Sequence, residues 1–328
     1  MTVALVDSRR GVAPLKAADS ARSPGAMAFI KDKFKEHGLA GLMSSLNRFC
    51  GVLLTWRQHQ ALVRVIDQPQ TRAVRARFPR VQYRYTLPYL STSLDWQERW
   101  SALRSHYAFV NAVFGADFSQ RVLDDRLAIW HSEQDGHVLS VHIQGLCPVT
   151  KHREGELTLC FKMDGLPIYK MSFSFIRWGD LNLNDLVGTV PVEHAMYIGR
   201  VQGVSGAMES IRLATGLLGD IAPQDLLMSV LFGLASALNI RKVIGVSDET
   251  CVSCDTIAVS DSSFSYKQFW DRYNGLLLSG GHVLVSLPLA EKPLSEISSK
   301  HRKRTQRKRD FKKQVATQSE QALRLVLA

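Results

Sequence analysis

Cysteine is scarce in this sequence, and long apolar runs are missing. Five cysteines are spread over 328 residues, an odd and thin count that excludes a disulfide framework and indicates reduced thiols. A membrane span needs about 20 consecutive apolar residues. The longest apolar stretch, Leu226 to Ile240, is interrupted by serine, glycine and asparagine, which favours a buried helix. The sequence therefore predicts a globular protein without a membrane span.

The N-terminal residues also lack the features of a targeting signal. Residues 1–27 combine charged side chains with glycine, proline, alanine and serine and contain no apolar core of a secretory signal. We expect them to be a disordered tail and the protein to be cytoplasmic. Residues 28–66 read as two helical stretches, the first basic and amphipathic. Such a helix packs on the body of the protein or lies at the inner membrane surface, and packing is the commoner role.

Positive charge is concentrated near the C-terminal end. The formal net charge is +11, and nine Lys and Arg residues lie between Lys300 and Lys313 against one acid, Asp310. This segment contributes +8 and leaves +3 for the other 314 residues. An anionic partner would bind there through phosphate contacts, and a solvated basic helix is the alternative. The predicted anion-binding residues are Lys300, Arg302, Lys303, Arg304, Arg307, Lys308 and Arg309.

Local signals predict the order of helices and strands. Asp95, with Glu98 three residues later, predicts a helix that begins with a capping box. From His137 the apolar periodicity changes from helical to alternating, which predicts an antiparallel meander with a tight turn at Asp164-Gly165. A strand over residues 196–201, a turn over 202–206, an apolar helix after Pro223 and a strand over 242–246 follow. A helix over 266–273 and a strand over 282–287 complete the order.

This order predicts an α+β fold in which an antiparallel meander continues into a βαβ unit. The GNAT acyltransferase superfamily uses this order, and its acyl-CoA pyrophosphate meets backbone amides where the fourth strand turns into a helix. We predict a disordered tail at 1–27 and an N-terminal helical region at 28–125. A mixed α/β GNAT-like domain at 126–290 and a basic C-terminal helix at 291–328 follow. Fold alone does not define function.

Several different short motifs lie along the chain between about Tyr85 and Arg309. They are Tyr89-Leu90-Ser91, His106-Tyr107, Arg153 to Leu159, Tyr169 to Phe175, Tyr197 to Gly203, Gly245-Val246-Ser247, Phe269-Trp270, Gly280-Gly281 and the basic residues 300–309. Together they resemble the VirK/YbjX family of bacterial proteins. The resemblance implies roles in virulence, envelope integrity, resistance to cationic antimicrobial peptides and stress responses. The sequence departs from the family pattern at Cys251, where histidine is frequent, and at Thr305, where tyrosine is usual.

A glycine-containing turn is the predicted cofactor site. The turn consists of Gln202, Gly203, Val204, Ser205, Gly206 and Ala207, between a predicted strand and a predicted helix. Its amides and the helix dipole would cradle a pyrophosphate, so acyl-CoA and aminoacyl-tRNA are the predicted cofactors. The turn does not match the superfamily spacing Gln/Arg-x-x-Gly-x-Gly/Ala, because its second small pair falls at Gly206 and Ala207. A turn that simply requires glycine is the alternative.

Three titratable residues flank this strand and turn. Glu193, His194 and Glu209 are the predicted catalytic residues, because a general base there would activate an amine. A surface role without catalysis is the commoner one for such residues. The histidines lack metal-binding spacing, and the single Cys251-x-x-Cys254 pair does not form a zinc site by itself, so no metal is predicted. The Arg and Glu residues at 153–156 indicate a structural ion pair.

Two classes of function follow from these observations. The first is a GNAT-like acyl or aminoacyl transferase that uses the turn at residues 202–207. The second is a non-enzymatic stress or virulence factor that binds an anionic surface, lipid, lipopolysaccharide or nucleic acid, through residues 300–313. The first class requires a cleft between two parted strands at the turn, whereas a filled surface there favours the second.

Overall fold

Helices form where the sequence carries helical periodicity and end signals. The computed structural model describes residues 50–145, 153–182, 194–253 and 264–328. The predicted capping box is confirmed, because the Asp95 side chain accepts from the Glu98 amide at 2.8 Å and the Glu98 side chain accepts from the Asp95 amide at 2.8 Å. The helices are α1 (Trp56–Ile66), α2 (Arg72–Arg77), α3 (Trp96–Val113), α4 (Phe118–Leu123), α5 (Met208–Leu217), α6 (Pro223–Ala237), α7 (Tyr266–Asp271) and α8 (Ser299–Arg324), with a 3₁₀ turn at Val81–Thr86.

Strands follow the alternating apolar pattern. The predicted hairpin turn is confirmed: Asp164 and Gly165 have φ of 52° and 80°, the left-handed values that a tight two-residue turn requires. The prediction missed a strand that precedes His137 and a two-residue strand near the C-terminal end. The strands are β1 (Leu127–Gln134), β2 (His137–Gln144), β3 (Leu157–Met163), β4 (Leu166–Arg177), β5 (His194–Gly203), β6 (Lys242–Val246), β7 (Leu276–Leu277) and β8 (His282–Ser286).

Within the described residues these strands form one sheet in the order β1-β2-β3-β4-β5-β6-β8-β7. Neighbouring strands are antiparallel, except for the parallel pair β5 and β6. A parallel pair requires a crossover connection, and α5 and α6 provide it. The chain is thus an α+β protein with a mostly antiparallel sheet, which confirms the predicted fold class.

The centre of the sheet is covered by helices on both faces. In β4 the residues from Met171 to Ile176 are buried at consecutive positions, which requires cover on both faces. Helices α3 and α6 both pack against β4. Helix α8 packs against α6 at backbone distance, since a Cβ on Gly233 would lie 2.2 Å from the Ala316 carbonyl oxygen. No helix among the described residues has the length and apolar character needed to cross a bilayer.

Candidate active site

A β-bulge interrupts β5 where that strand leaves its parallel neighbour. Ser172 of β4 lies opposite Arg200 and the next residue lies opposite Ile198, so Gly199 is the extra residue of the bulge. The last residue pair between β5 and β6 is Ile198 with Gly245. Strand β6 ends one residue later, at Val246, whereas β5 continues to Gly203, and the bulge bends β5 and increases its twist at this point.

Two chain segments cross directly over this bulge. A Cβ on Gly199 would lie 2.1 Å from the Glu154 carbonyl oxygen and 3.0 Å from the Leu90 carbonyl oxygen. Only glycine permits so close an approach. The crossing segments are joined to each other, because the Leu90 amide donates to the Arg153 carbonyl at 2.7 Å. The motifs around residues 89–91, 153–159 and 197–203 therefore meet at one place in the fold.

A buried ion pair lies beside the bulge. Arg84 Nη1 is 2.9 Å from Glu156 Oε1, and the side chains are 11% and 1% exposed. The two atoms are not aligned as a hydrogen bond, and among the described residues both Nη atoms of Arg84 lack a hydrogen-bond acceptor. The Tyr107 hydroxyl donates to Glu156 Oε2 at 2.5 Å. Burial by itself lowers the pKa of Arg84, but the Glu156 carboxylate and nearby phenols raise it above its usual value.

The ion pair predicted for residues 153–156 forms with a different arginine. The expected Arg and Glu pair within residues 153–156 is instead a pair between Glu156 and Arg84, which comes from a distant segment. Within the motif, the Arg153 amide donates to Glu154 Oε2 at 2.8 Å. The pairing is long-range because the crossing segment brings the 3₁₀ turn at Val81–Thr86 onto the start of β3.

Hydroxyl groups extend the polar cluster along the sheet. The Tyr89 hydroxyl lies 3.0 Å from Ser174 Oγ, and the Glu156 amide donates to the same oxygen at 3.0 Å. Burial, followed by the Glu156 charge, holds the pKa of Tyr89 well above its usual value. Ser174 lies opposite Tyr197 in the register of β4 and β5. Buried polar groups therefore extend from Glu156 to Ser174, next to Tyr197 of β5.

A small cavity adjoins the ion pair. Its lining is mostly apolar but includes His106, Tyr107 and Glu156, and it has room for about one water molecule. His106 Nδ1 accepts from the Phe175 amide at 3.2 Å, so the ring is a neutral acceptor at this atom. Burial, with a smaller contribution from Arg84, lowers the pKa of His106 to about 3. The cavity is too small for an acyl donor.

Beyond the bulge, the free edge of β5 meets aromatic side chains of α7. The Val201 amide donates to the Tyr266 hydroxyl at 3.0 Å, and Cys251 Sγ lies 3.7 Å from the same oxygen. Trp270 Nε1 donates to the Val246 carbonyl at 2.7 Å, at the end of β6. At Val201 a phenol thus takes the place of a strand partner, so the described residues show no open cleft there, which is the outcome that favours the second class of function.

The predicted turn lies where β5 ends and α5 begins. The Val204 amide donates to the Ile168 carbonyl at 2.9 Å, and the Ala207 amide donates to the Val204 carbonyl at 3.1 Å. Gly206 has a φ of 78°, which explains the glycine. Ser205 and Gly206 are exposed at the tip of the turn.

The other end of this turn is closely packed. A Cβ on Gly203 would lie 3.1 Å from Ile211 Cδ1 and 3.5 Å from the Tyr169 ring. A side chain there would disturb the packing of α5 as well as any ligand. Gln202 Oε1 accepts from Arg200 Nε at 2.7 Å, so this part of the turn is held by side chains of β5.

The structure does not bring the predicted catalytic residues together. His194 begins β5, and its ring lies 4.7 Å from the Phe109 ring. Glu209 is exposed in the first turn of α5, beyond the other end of the strand. A strand rises roughly 3.3 Å per residue, so His194 lies about 30 Å along β5 from Gly203. Glu193 lies outside the described residues.

Most of the predicted anion-binding side chains have partners within the chain. Arg304 pairs with Asp220 at 2.6 Å, and Lys308 Nζ donates to the Asp220 carbonyl at 2.6 Å. Arg309 lies 3.6 Å from Glu291, and Arg302 Nε donates to the Ile297 carbonyl at 2.8 Å. The exposed side chains for which the described residues provide no ion-pair or hydrogen-bond partner are Lys300, Lys303 and Arg307, spaced along one stripe of α8.

Comparison with known proteins identifies the family. The family described as "Protein of unknown function (DUF535)" matches residues 45–321, and the chain belongs to this family. The resemblance to the VirK/YbjX family is thereby confirmed. The chain is 24% identical over 243 residues to "Uncharacterized protein YbjX" of Escherichia coli (strain K12), a match that covers 71% of this chain and 69% of that protein. No solved structure matches the chain.

Proposed function

We propose that this protein is an acyl or aminoacyl transferase with a GNAT-like architecture. The observation that carries the proposal is that the pairing of the parallel strands β5 and β6 ends beside the Gly199 bulge while β5 continues to Gly203. It occurs in a sheet whose order from β4 to the edge strand, β4-β5-β6-β8-β7, also fits that architecture. Past this point the edge of β5 has no β6 partner, and an extended amide-containing donor arm can bind such an edge as a strand would.

The turn after β5 supports the same proposal. Counted from Arg200, the sequence Arg-x-x-Gly-x-Ser differs from the superfamily spacing Gln/Arg-x-x-Gly-x-Gly/Ala only at its last position, Ser205. The exposed tip of the turn and the first turn of α5 offer amides and a positive helix end to a phosphate.

A donor that binds along β5 must displace the phenol of Tyr266. It occupies the Val201 amide, which is the β5 amide just beyond the bulge. A donor arm along this edge would exchange the phenol for its own carbonyl oxygen. The enzyme would therefore have a filled gap without donor and an open gap with donor, and Tyr266→Phe, which removes the competing oxygen, would bind the donor more tightly.

Titration with acetyl-CoA, a long-chain acyl-CoA and an aminoacyl-tRNA tests the proposal. We expect one of these donors to bind and to raise the melting temperature by mass action. Ser205→Glu places a negative charge at the turn and should weaken binding at least about tenfold, because like charges oppose each other there. Ser205→Gln is the matched neutral control and should bind as the parent does. The absence of binding by all three donors at millimolar concentration would refute the proposal.

The biological setting is a separate part of the proposal. The resemblance to the VirK/YbjX family supports a role in envelope integrity and stress, including resistance to cationic antimicrobial peptides. A transferase that modifies an amine-bearing envelope precursor would connect this role with acyl transfer. Deletion of the gene should increase sensitivity to a cationic peptide, and only a binding-competent variant should restore resistance. Full restoration of resistance by the Ser205→Glu variant would show that the role in resistance does not depend on donor binding.

A further inference from the structure

Three loops meet at the end of β6 and place a histidine between two hydroxyl groups. His282 begins β8 and pairs with Val246, the last residue of β6. Its Nδ1 lies 2.9 Å from the Tyr197 hydroxyl, and its Nε2 lies 3.3 Å from Ser93 Oγ. His282 and Tyr197 are buried, whereas Ser93 is exposed. The imidazole thus contacts a surface serine through one ring nitrogen and a buried phenol through the other.

A second serine holds the first in place. Ser91 Oγ is 2.8 Å from Ser93 Oγ, and it also accepts from the Ser93 amide at 3.2 Å. Ser91 Oγ also lies 3.3 Å from the Thr250 carbonyl oxygen. When Ser91 instead donates its proton to Ser93 Oγ, the Ser93 proton is left for His282 Nε2. The Ser93 side chain is therefore held by one contact besides the imidazole, and its backbone by another.

The serine and histidine pair borders a glycine. A Cβ on Gly280 would lie 3.4 Å from His282 Nε2 and 4.0 Å from Ser93 Oγ. A side chain at Gly280 would therefore contact both members of the pair. The φ of Gly280 is 69°, in the left-handed region that favours glycine.

The electrostatic setting suits proton acceptance. Burial lowers the pKa of His282, and the nearby Glu98 carboxylate opposes this shift. The imidazole is therefore neutral at neutral pH. In the tautomer that carries its proton on Nδ1, the ring donates to the Tyr197 oxygen and Nε2 has a lone pair within reach of the Ser93 hydroxyl. A serine hydroxyl is a weak nucleophile until a base within hydrogen-bond reach, itself oriented by a third group, accepts its proton.

We propose that Ser93, His282 and Tyr197 form a nucleophilic serine site for acyl esters or thioesters. Ser93 Oγ attacks the carbonyl carbon while its proton moves to His282 Nε2. The bond from that carbon to the leaving oxygen or sulfur breaks, and the leaving group takes the proton from Nε2. Water then attacks the acyl-serine, gives one proton to Nε2, and releases the carboxylic acid as Ser93 regains its hydrogen. Ser93 and His282 are the catalytic residues, and Tyr197 is a positioning residue.

A fluorophosphonate probe, which phosphonylates activated serines with loss of fluoride, tests the site in the full chain. We expect peptide mass spectrometry to find the adduct on Ser93 in the folded protein and not in the urea-unfolded protein. His282→Ala should slow labelling at least about 100-fold, the usual scale of general-base catalysis. Added imidazole should restore part of the rate, which a merely structural role of the ring would not allow. Thr92→Ala, the adjacent exposed hydroxyl, should label as the parent does.

The chemistry is then checked with a p-nitrophenyl ester, where we expect a burst of nitrophenol and an acyl group on Ser93. Tyr197→Phe keeps the ring but should slow the burst while circular dichroism stays unchanged. Absence of any Ser93 adduct in the folded parent, or labelling of equal rate in His282→Ala, would overturn the proposal. These outcomes do not depend on the binding of acyl-CoA, so this site and the GNAT-like proposal can fail separately.

Discussion

The buried ion pair between Arg84 and Glu156 permits the sharpest test of what stabilises the candidate site. Glu156→Gln keeps the shape of the side chain and an oxygen that can accept from the Tyr107 hydroxyl, but it removes the carboxylate charge. Arg84 then remains as a buried guanidinium without its counter-charge. Removal of one partner of a buried ion pair costs about 3–5 kcal/mol, and we expect a loss of this size in the free energy of unfolding.

Urea unfolding followed by tryptophan fluorescence measures this loss. Arg84→Met in the same chain removes the uncompensated charge, so the double variant should be more stable than the sum of the single effects predicts, by at least about 2 kcal/mol. Glu133→Gln on β1, which changes an exposed carboxylate, is the control and should alter stability by less than about 0.5 kcal/mol. A Glu156→Gln variant within about 1 kcal/mol of the parent, or additive effects in the double variant, would refute the reasoning.

Three further outcomes follow from the described contacts. His106 binds a proton with a pKa of about 3 when folded and near 6.5 when unfolded, so the unfolded chain gains protons first as pH falls. About 2 kcal/mol of stability should be lost between pH 7 and 5, and His106→Asn should flatten this slope in urea titrations; an unchanged slope would exclude the residue. Gly245→Ala would place a Cβ 1.9 Å from the Trp270 ring and should cost at least about 3 kcal/mol by thermal unfolding, whereas Gly216→Ala, with open space, should cost nothing. If α8 binds polyanions, neutralising its unpartnered stripe should abolish salt-dependent retention on anionic vesicles; retention that persists would move the site elsewhere. The stripe variant is Lys300→Gln, Lys303→Gln and Arg307→Gln.

Features set by neighbouring residues were predictable. The capping box at Asp95, the hairpin turn at Asp164-Gly165 and the helix that begins at Pro223 each depend on side chains within a few positions of one another. The alternating pattern likewise predicted β2, β3 and β4. Strand β1 was missed because only its first half is buried, with Leu127, Ile129 and Trp130 inside and the later residues partly exposed.

The candidate site, in contrast, is decided only by the tertiary structure. Its groups come from segments far apart in the chain, and local periodicity carries no information about which segments will meet. Arg84 reaches Glu156, and Ser93 reaches His282, only because the sheet order places the starts of β3 and β8 under the same crossing segment.

The tertiary structure also decides whether the predicted site residues lie together and which of them are neutralised. The sequence alone identified the glycine turn after β5, since a strand, small residues and a helix follow one another there. It did not reveal that the ten-residue length of β5 separates His194 from Glu209, or that acids at 220 and 291 neutralise part of the basic helix. Charge and motif are properties of the chain, whereas distance and desolvation arise only when the chain packs, because both depend on which surfaces exclude water from each other.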